Sequence, residues 1–306
     1  MKQIIVLICW LLPCHSFAQT EIPNNKDYAL LKAGYLSNKL SRAELLQFAA
    51  VASEVHEDSV AQAAALAYKR KYLSDKVSSA NLSPQLQKYL TLFPELFKIS
   101  DPLIKYIMAN PKQSDQYFHS PGYAKNVSSY FLNKDIVSPK VKANGQYAAE
   151  EPLWNQIMTQ LKVFTDKSTA YKMLVKAKMN WYKAKGDWNN AIKFNIEYID
   201  AFGLDTAGYG KLMINNMVFD LIFTHGEDSA AFKKGLGYME ILLHSNPGET
   251  AWIDTYANLL YKAGRKDEAI KQQQKALEIA MKIQNQEKVT IYSENLQKMQ
   301  RNLPTW

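Results

Sequence analysis

The sequence predicts an all-α chain, much of it an α–α superhelix of helical hairpins, and three observations carry that prediction. The 306 residues include only 12 glycines and 11 prolines, fewer than sandwiches and barrels spend on their turns. Apolar residues recur at steps of three and four from about residue 27 to residue 302, with no long alternating stretch between them. The chain also resembles itself: Gly186 and Gly264 stand 78 residues apart, and so do Ala191 and Ala269, and Ile192 and Ile270. A composition of 47% hydrophobic and 22% charged residues excludes wholesale disorder.

The first segment reads as an address. In residues 1–18, MKQIIVLICWLLPCHSFA, Lys2 is a short basic start and Ile4 to Leu12 an apolar run. Ser16 and Ala18 are the small residues that precede a cut. The nine-residue run is far shorter than the roughly 20 residues of a membrane-spanning helix. The expectation is a signal peptide cleaved after Ala18 and a periplasmic or secreted protein without a transmembrane segment. A lipid anchor on Cys14 is the alternative, disfavoured by Pro13, because a small residue normally precedes a lipidated cysteine. Cys9 and Cys14 are the only cysteines, so cleavage leaves none for disulfides, thiolate metal sites or nucleophilic catalysis. The formal charge of +8 is spread along the chain and implies a basic surface and no more.

Residues 19–135 read as an N-terminal region of helical hairpins. After polar residues 19–26, Asp27–Asn38 gives a short stripe. Ser41-Arg-Ala-Glu44 is a capping box that opens a second helix with Leu45, Phe48, Ala49 and Ala52 on one face. His56-Glu57-Asp58 breaks it, and Ser59 to Leu73 repeats the pattern, which implies two helices joined by a short turn. Pro84, Pro94, Pro102, Pro111 and Pro121 suit the first turns of successive short helices. Residues 136–152, with Pro139, Gly145 and Pro152, form a polar joint, in which VSPKVKA alternates briefly but reads as loop.

Residues 153–306 carry the repeats. KAKMNWYKAKGDWNNAI at 176–192 and ANLLYKAGRKDEAI at 257–270 each end a helix at glycine, make a charged turn and open a second helix with Ala-Ile. These stretches resemble the tetratricopeptide repeat. The fit is best over 250–283, where Ala257, Ala269 and Ala276 take the three small-residue positions of that family. It is weaker over 172–205 and degenerate over 206–249. The run from Ala29 to Glu294 also resembles the helical region that follows the thioredoxin domain in some exported bacterial thioredoxin-family proteins. LSRAELLQFAAVASEVHEDSVAQAAALAYK, the helices around Leu92–Ile107 and TYANLLYKAGRKDEAI carry that likeness. Ahead of Ala29 there is only the leader and a short linker, so no redox activity comes across with it.

Chemistry-bearing constellations are thin. His56-Glu57-Asp58 lacks a second histidine at helical spacing, and its adjacent side chains diverge. GLDTAGYGK at 203–211 lacks the spacing and the strand of a phosphate loop. Tyr68-Lys69-Arg70-Lys71-Tyr72 mixes base and aromatic but reads as a solvated helix face, so no nucleic acid is expected. No cofactor, metal or catalytic residue is expected, and an enzyme of unrecognised type is the least supported class. The reading is a non-catalytic scaffold for a protein or peptide partner. The alternative is a helper that docks an envelope thioredoxin-like protein in trans. The repeat resemblance implies a groove along the first helices: Met173, Lys176, Asn180, Lys183 and Ala184 in one unit, and Ala251, Asp254, Asn258, Tyr261 and Lys262 in the other. Of these, Lys176, Asn180, Lys183, Asn258, Tyr261 and Lys262 are the candidate binding residues. An acidic or C-terminal peptide is the expected ligand, and Lys176 with Asn180 resembles half of a clamp for a terminal carboxylate.

Overall fold

The Ser41 hydroxyl accepts the Glu44 amide at 3.3 Å and the Glu44 carboxylate accepts the Ser41 amide at 2.8 Å, so the capping box closes as its spacing predicts. In the computed structural model, which describes residues 25–73, 77, 82 and 84–306, helices make up most of the described residues. The signal-peptide reading of residues 1–18, with Cys9, Cys14 and Ala18, lies outside the described residues. The chain divides into two compact units, the second beginning at Lys140.

The first unit holds α1 (Asn25–Leu36), α2 (Arg42–Glu54), α3 (Asp58–Tyr72), α4 (Pro84–Leu92), α5 (Pro102–Ala109), α6 (Pro111–Tyr117) and α7 (Tyr123–Leu132). Prolines open α4, α5 and α6 and the 3-10 turn Pro94–Leu96, where a missing N–H costs nothing. Pro121 differs: α7 begins at Tyr123, and the Asp115 carboxylate takes the amides of Gly122 and Ala124 at 2.7 and 2.8 Å. α2 and α3 form the expected hairpin. Ala49, Ala52, Ala61, Ala64 and Ala65 are buried in it, because small side chains let two helices approach closely. Tyr89 anchors the centre, packed against Tyr68, Phe93 and Phe97, with its hydroxyl donated to the Ala65 carbonyl at 2.6 Å. α7 runs on through a π-turn, Asn133–Val137, into Ser138–Val141.

The second unit opens with a short antiparallel pair, β1 (Lys142–Ala143) and β2 (Gln146–Tyr147), in the stretch that reads as loop in the sequence. Asn144 and Gly145 supply the reason: both take positive φ, 51° and 80°, which is what a two-residue hairpin turn requires. Then come α8 (Trp154–Phe164), α9 (Lys167–Ala184), α10 (Trp188–Phe202), α11 (Gly210–Met217, continued by a π-turn Val218–Phe223), α12 (Ser229–Ser245), α13 (Thr250–Lys262), α14 (Lys266–Lys282) and α15 (Gln286–Gln300).

Successive helices pair as α9/α10, α11/α12 and α13/α14, with α15 packed on the last pair. This is an all-α, helical-hairpin superhelix. The stretch 206–249, degenerate in sequence, is a complete hairpin. Its π-turn shifts the apolar register within the first helix, and the loop before Gly210 lengthens the unit. Gly186 and Gly264 close the outer first helices at φ +70° and +81°, the left-handed geometry that favours glycine. Ala191, Ala257, Ala269 and Ala276 are all fully buried. The core between them is built from Val218, Ile222, Met239, Leu242 and Leu259. No helix among the described residues is long and apolar enough to cross a membrane.

Candidate functional site

The first helices α9 and α13 carry all six candidate residues, and the structure treats the two helices differently. In α9, Asp166 caps the start by accepting the amides of Ser168 and Thr169 at 2.9 and 3.0 Å. Leu174, Val175, Ala177, Trp181 and Tyr182 turn inward, toward α8 and α10. Lys176, Asn180 and Lys183 stay on the exposed side, one stripe at steps of four and three. Lys172 and Lys176 lie 5.6 and 5.3 Å from the centre of the Tyr198 ring of α10. None of the three candidates on α9 is held by a carboxylate or a hydrogen bond among the described residues.

On α13 the equivalent stripe is closed. Asn258 is 1% exposed, so it is not on a groove surface. Its amide nitrogen donates to the Asp254 carbonyl at 2.9 Å, and its side-chain oxygen has no partner. α15 packs beside α13, and its Asn295 reaches Asp254, one turn before Asn258 on the same helix. Gln273 of α14 and Asn295 donate to one carboxylate oxygen of Asp254 at 2.7 and 3.1 Å. Burial pushes the Asp254 carboxyl above its ordinary range, against the pull of hydrogen bonds from Gln273, Asn295 and Asn258. Gln273 also donates to the Tyr292 carbonyl at 3.3 Å, and its own side-chain oxygen is left without a partner.

Lys262 and Tyr261 are half-buried and already engaged. The Lys262 ammonium donates to the Phe223 carbonyl at 2.6 Å, satisfying an acceptor near the end of the α11 segment. The rings of Phe223, Phe232 and Trp306 surround it at 5.8, 5.8 and 5.3 Å. Burial lowers its pKa. Trp306 lies 6.2 Å from Tyr261 and 6.5 Å from Phe223, so residues of this chain itself cover that end of α13. Of the six candidates, Lys176, Asn180 and Lys183 form an accessible set, while Asn258, Tyr261 and Lys262 belong to packing.

Sequence reasoning did not foresee Trp306, the Asp254–Gln273–Asn295 cluster or the flat stack of Trp188 on His225, with ring centres 3.8 Å apart. These contacts join residues distant in sequence, and no local spacing announces them. Elsewhere, the His56-Glu57-Asp58 turn places His56 at φ +62° and pairs Glu57 with Lys32 at 2.8 Å. Lys69 of the basic stripe is paired with Asp101 at 2.6 Å. No cluster of three metal-ligating side chains occurs among the described residues. No protein-family model matches the chain, and no curated protein is significantly similar to it.

Proposed function

We propose that the chain is a non-catalytic protein-binding scaffold of the tetratricopeptide type, exported to the periplasm or secreted. In this reading Lys176, Asn180 and Lys183 receive an acidic or C-terminal segment of a partner protein. The observation that supports it most is the α9 stripe: two lysines and an asparagine exposed in line, with no carboxylate or hydrogen-bond partner among the described residues. Helical repeats commonly use such first-helix faces as extended recognition surfaces. Two cations and an amide suit a carboxylate-bearing ligand.

The test uses a labelled acidic peptide with a free terminal carboxylate, followed by fluorescence anisotropy. Replacing Lys176 and Asn180 together with alanine should weaken binding about tenfold and leave the melting temperature in place. Amidating the peptide terminus should weaken it too. Unchanged affinity in the folded double variant would remove the groove assignment. The export half is tested by N-terminal sequencing of protein recovered from the producing cells, where Gln19 is the expected first residue.

A further inference from the structure

Residues 303–306 lay the chain back on its own first helices. Asn302 ends α15 at φ +58°, and the Leu303 amide donates to the Lys298 carbonyl at 2.8 Å. Lys266 of α14 donates to the Asn302 side-chain oxygen at 2.6 Å and fixes where the segment leaves α15. Trp306 then comes to rest against Tyr261 of α13, 6.2 Å away, and at right angles to Phe223, 6.5 Å away. Its ring lies 5.3 Å from the Lys262 ammonium. Indole is the aromatic face that a cation favours most. The end of α13 is therefore a seat for an aromatic side chain, and the chain fills it with one of its own.

The fit is incomplete in two ways. Trp306 remains 55% exposed, and the Thr305 hydroxyl is buried with no hydrogen-bond partner among the described residues. Seating the segment takes that hydroxyl out of water without compensation, a cost that an apolar side chain of the same shape avoids. The apolar surface also runs on past the seat. Phe219 of the α11 π-turn stands 5.3 Å from Phe223, and Met213, Leu212 and Tyr209 precede it on α11 at helical spacing. All four stay exposed with residues 303–306 in place. Large apolar side chains grouped on one face mark an interaction surface.

The occupant in view shows what this surface takes: an indole, led in by a short segment containing proline. We propose that Tyr261, Lys262 and Phe223 form a subsite for a tryptophan of a partner protein's apolar segment, and that Trp306 occupies it in cis until that segment displaces it. The subsite lies on another hairpin than the α9 stripe, and its ligand is apolar where that of the stripe is acidic.

The probe is the uncharged peptide acetyl-Leu-Pro-Val-Trp amide, titrated calorimetrically into the purified full chain. A site already occupied binds at reduced apparent affinity. Trp306→Ala should therefore bind the peptide about tenfold more tightly than the unaltered chain, with the melting temperature in place. Thr305→Val relieves the orphaned hydroxyl, holds the segment in its seat and should weaken peptide binding severalfold. It decides the matter if Trp306→Ala melts early. The same peptide with threonine in place of valine should bind Trp306→Ala about tenfold more weakly. Lys176→Ala with Asn180→Ala should leave this peptide's affinity unchanged, which separates the subsite from the α9 stripe. Peptide binding that Trp306→Ala does not strengthen, or that Thr305→Val does not weaken, would overturn the proposal. So would dimerisation of the unaltered chain that Trp306→Ala abolishes, because a second copy would then be the occupant.

Discussion

α9 and α13 hold equivalent places in their hairpins, each a first helix closing at a left-handed glycine, yet one keeps its polar stripe in water and the other buries it. α9 has α8 and α10 as its main neighbours, and neither covers Lys176, Asn180 and Lys183. α13 is packed by α12, the α11 π-turn, α14 and α15, and its stripe becomes a buried polar cluster with a lysine clasped by rings. Repeat position therefore tells which way a side chain points, and the next helix decides whether it points at solvent. A binding stripe needs a missing neighbour as much as it needs the right residues.

The sharpest way to break this comparison is to unpair the buried cluster. Gln273→Leu removes one donor to the largely buried Asp254 carboxylate. It should cost about 1.5–3 kcal/mol, the range for a hydrogen bond to a charged group. Asn180→Leu, on the open stripe of α9, should stay within about 0.5 kcal/mol of the unaltered chain. Chemical denaturation reads both. Equal effects would mean that α13 is no more closed than α9. Next in size is Ala269→Leu, where a fully buried methyl at the α13–α14 crossing becomes a larger side chain. Overpacking should cost about 1–3 kcal/mol, and a wild-type melting curve would show that the hairpin register is wrong.

A smaller contrast separates the two lysines. Lys262→Met leaves the Phe223 carbonyl without its donor and should cost about 1 kcal/mol. Lys176→Met should leave the melting temperature alone and reduce acidic-peptide binding. Exchange of those two phenotypes would reverse the assignment of open and closed faces.

How far the sequence foretold this follows from the range of each interaction. Ser41 and Glu44 are three residues apart, and a capping box can be read at that distance. The proline starts of α4, α5 and α6, the closing glycines and the buried alanines of the hairpins are local in the same way. The π-turn at Val218–Phe223 was hidden because it shifts the very period by which helices are recognised. The strands joined by Asn144-Gly145 are two residues each, too short to show an alternating pattern in the sequence. Asp254 is met by Asn295, and Lys262 by Phe223 and Trp306, each more than thirty residues away. Side-chain identity placed these residues on a helix face, and only tertiary packing closed that face.

The finest test sets one carboxylate of each helix against the other as pH falls. Asp254 is raised by burial, so the folded chain holds its proton more tightly than the unfolded chain does. Its contribution is full below the unfolded value and is lost as pH rises through the folded one, which leaves a buried charge at neutrality. Asp254→Asn keeps an acceptor for Gln273 and Asn295. It also adds an N–H₂ among the unpartnered side-chain oxygens of Asn258 and Gln273. The variant should be the more stable chain at pH 7, by a margin that shrinks as pH falls through the wild-type carboxyl. Asp166 has the opposite sign. Hydrogen bonds from Thr169, chiefly, hold it below its ordinary range at the start of α9. Its contribution is present above the unfolded value and disappears as pH falls through the folded one. Asp166→Ala should therefore be the less stable chain at pH 7 and should converge on the wild type in acid. Stability measured against pH for the three chains gives two difference curves that approach zero from opposite sides. If both lie on the same side, Asp254 is not the buried, desolvated group that closes the face of α13.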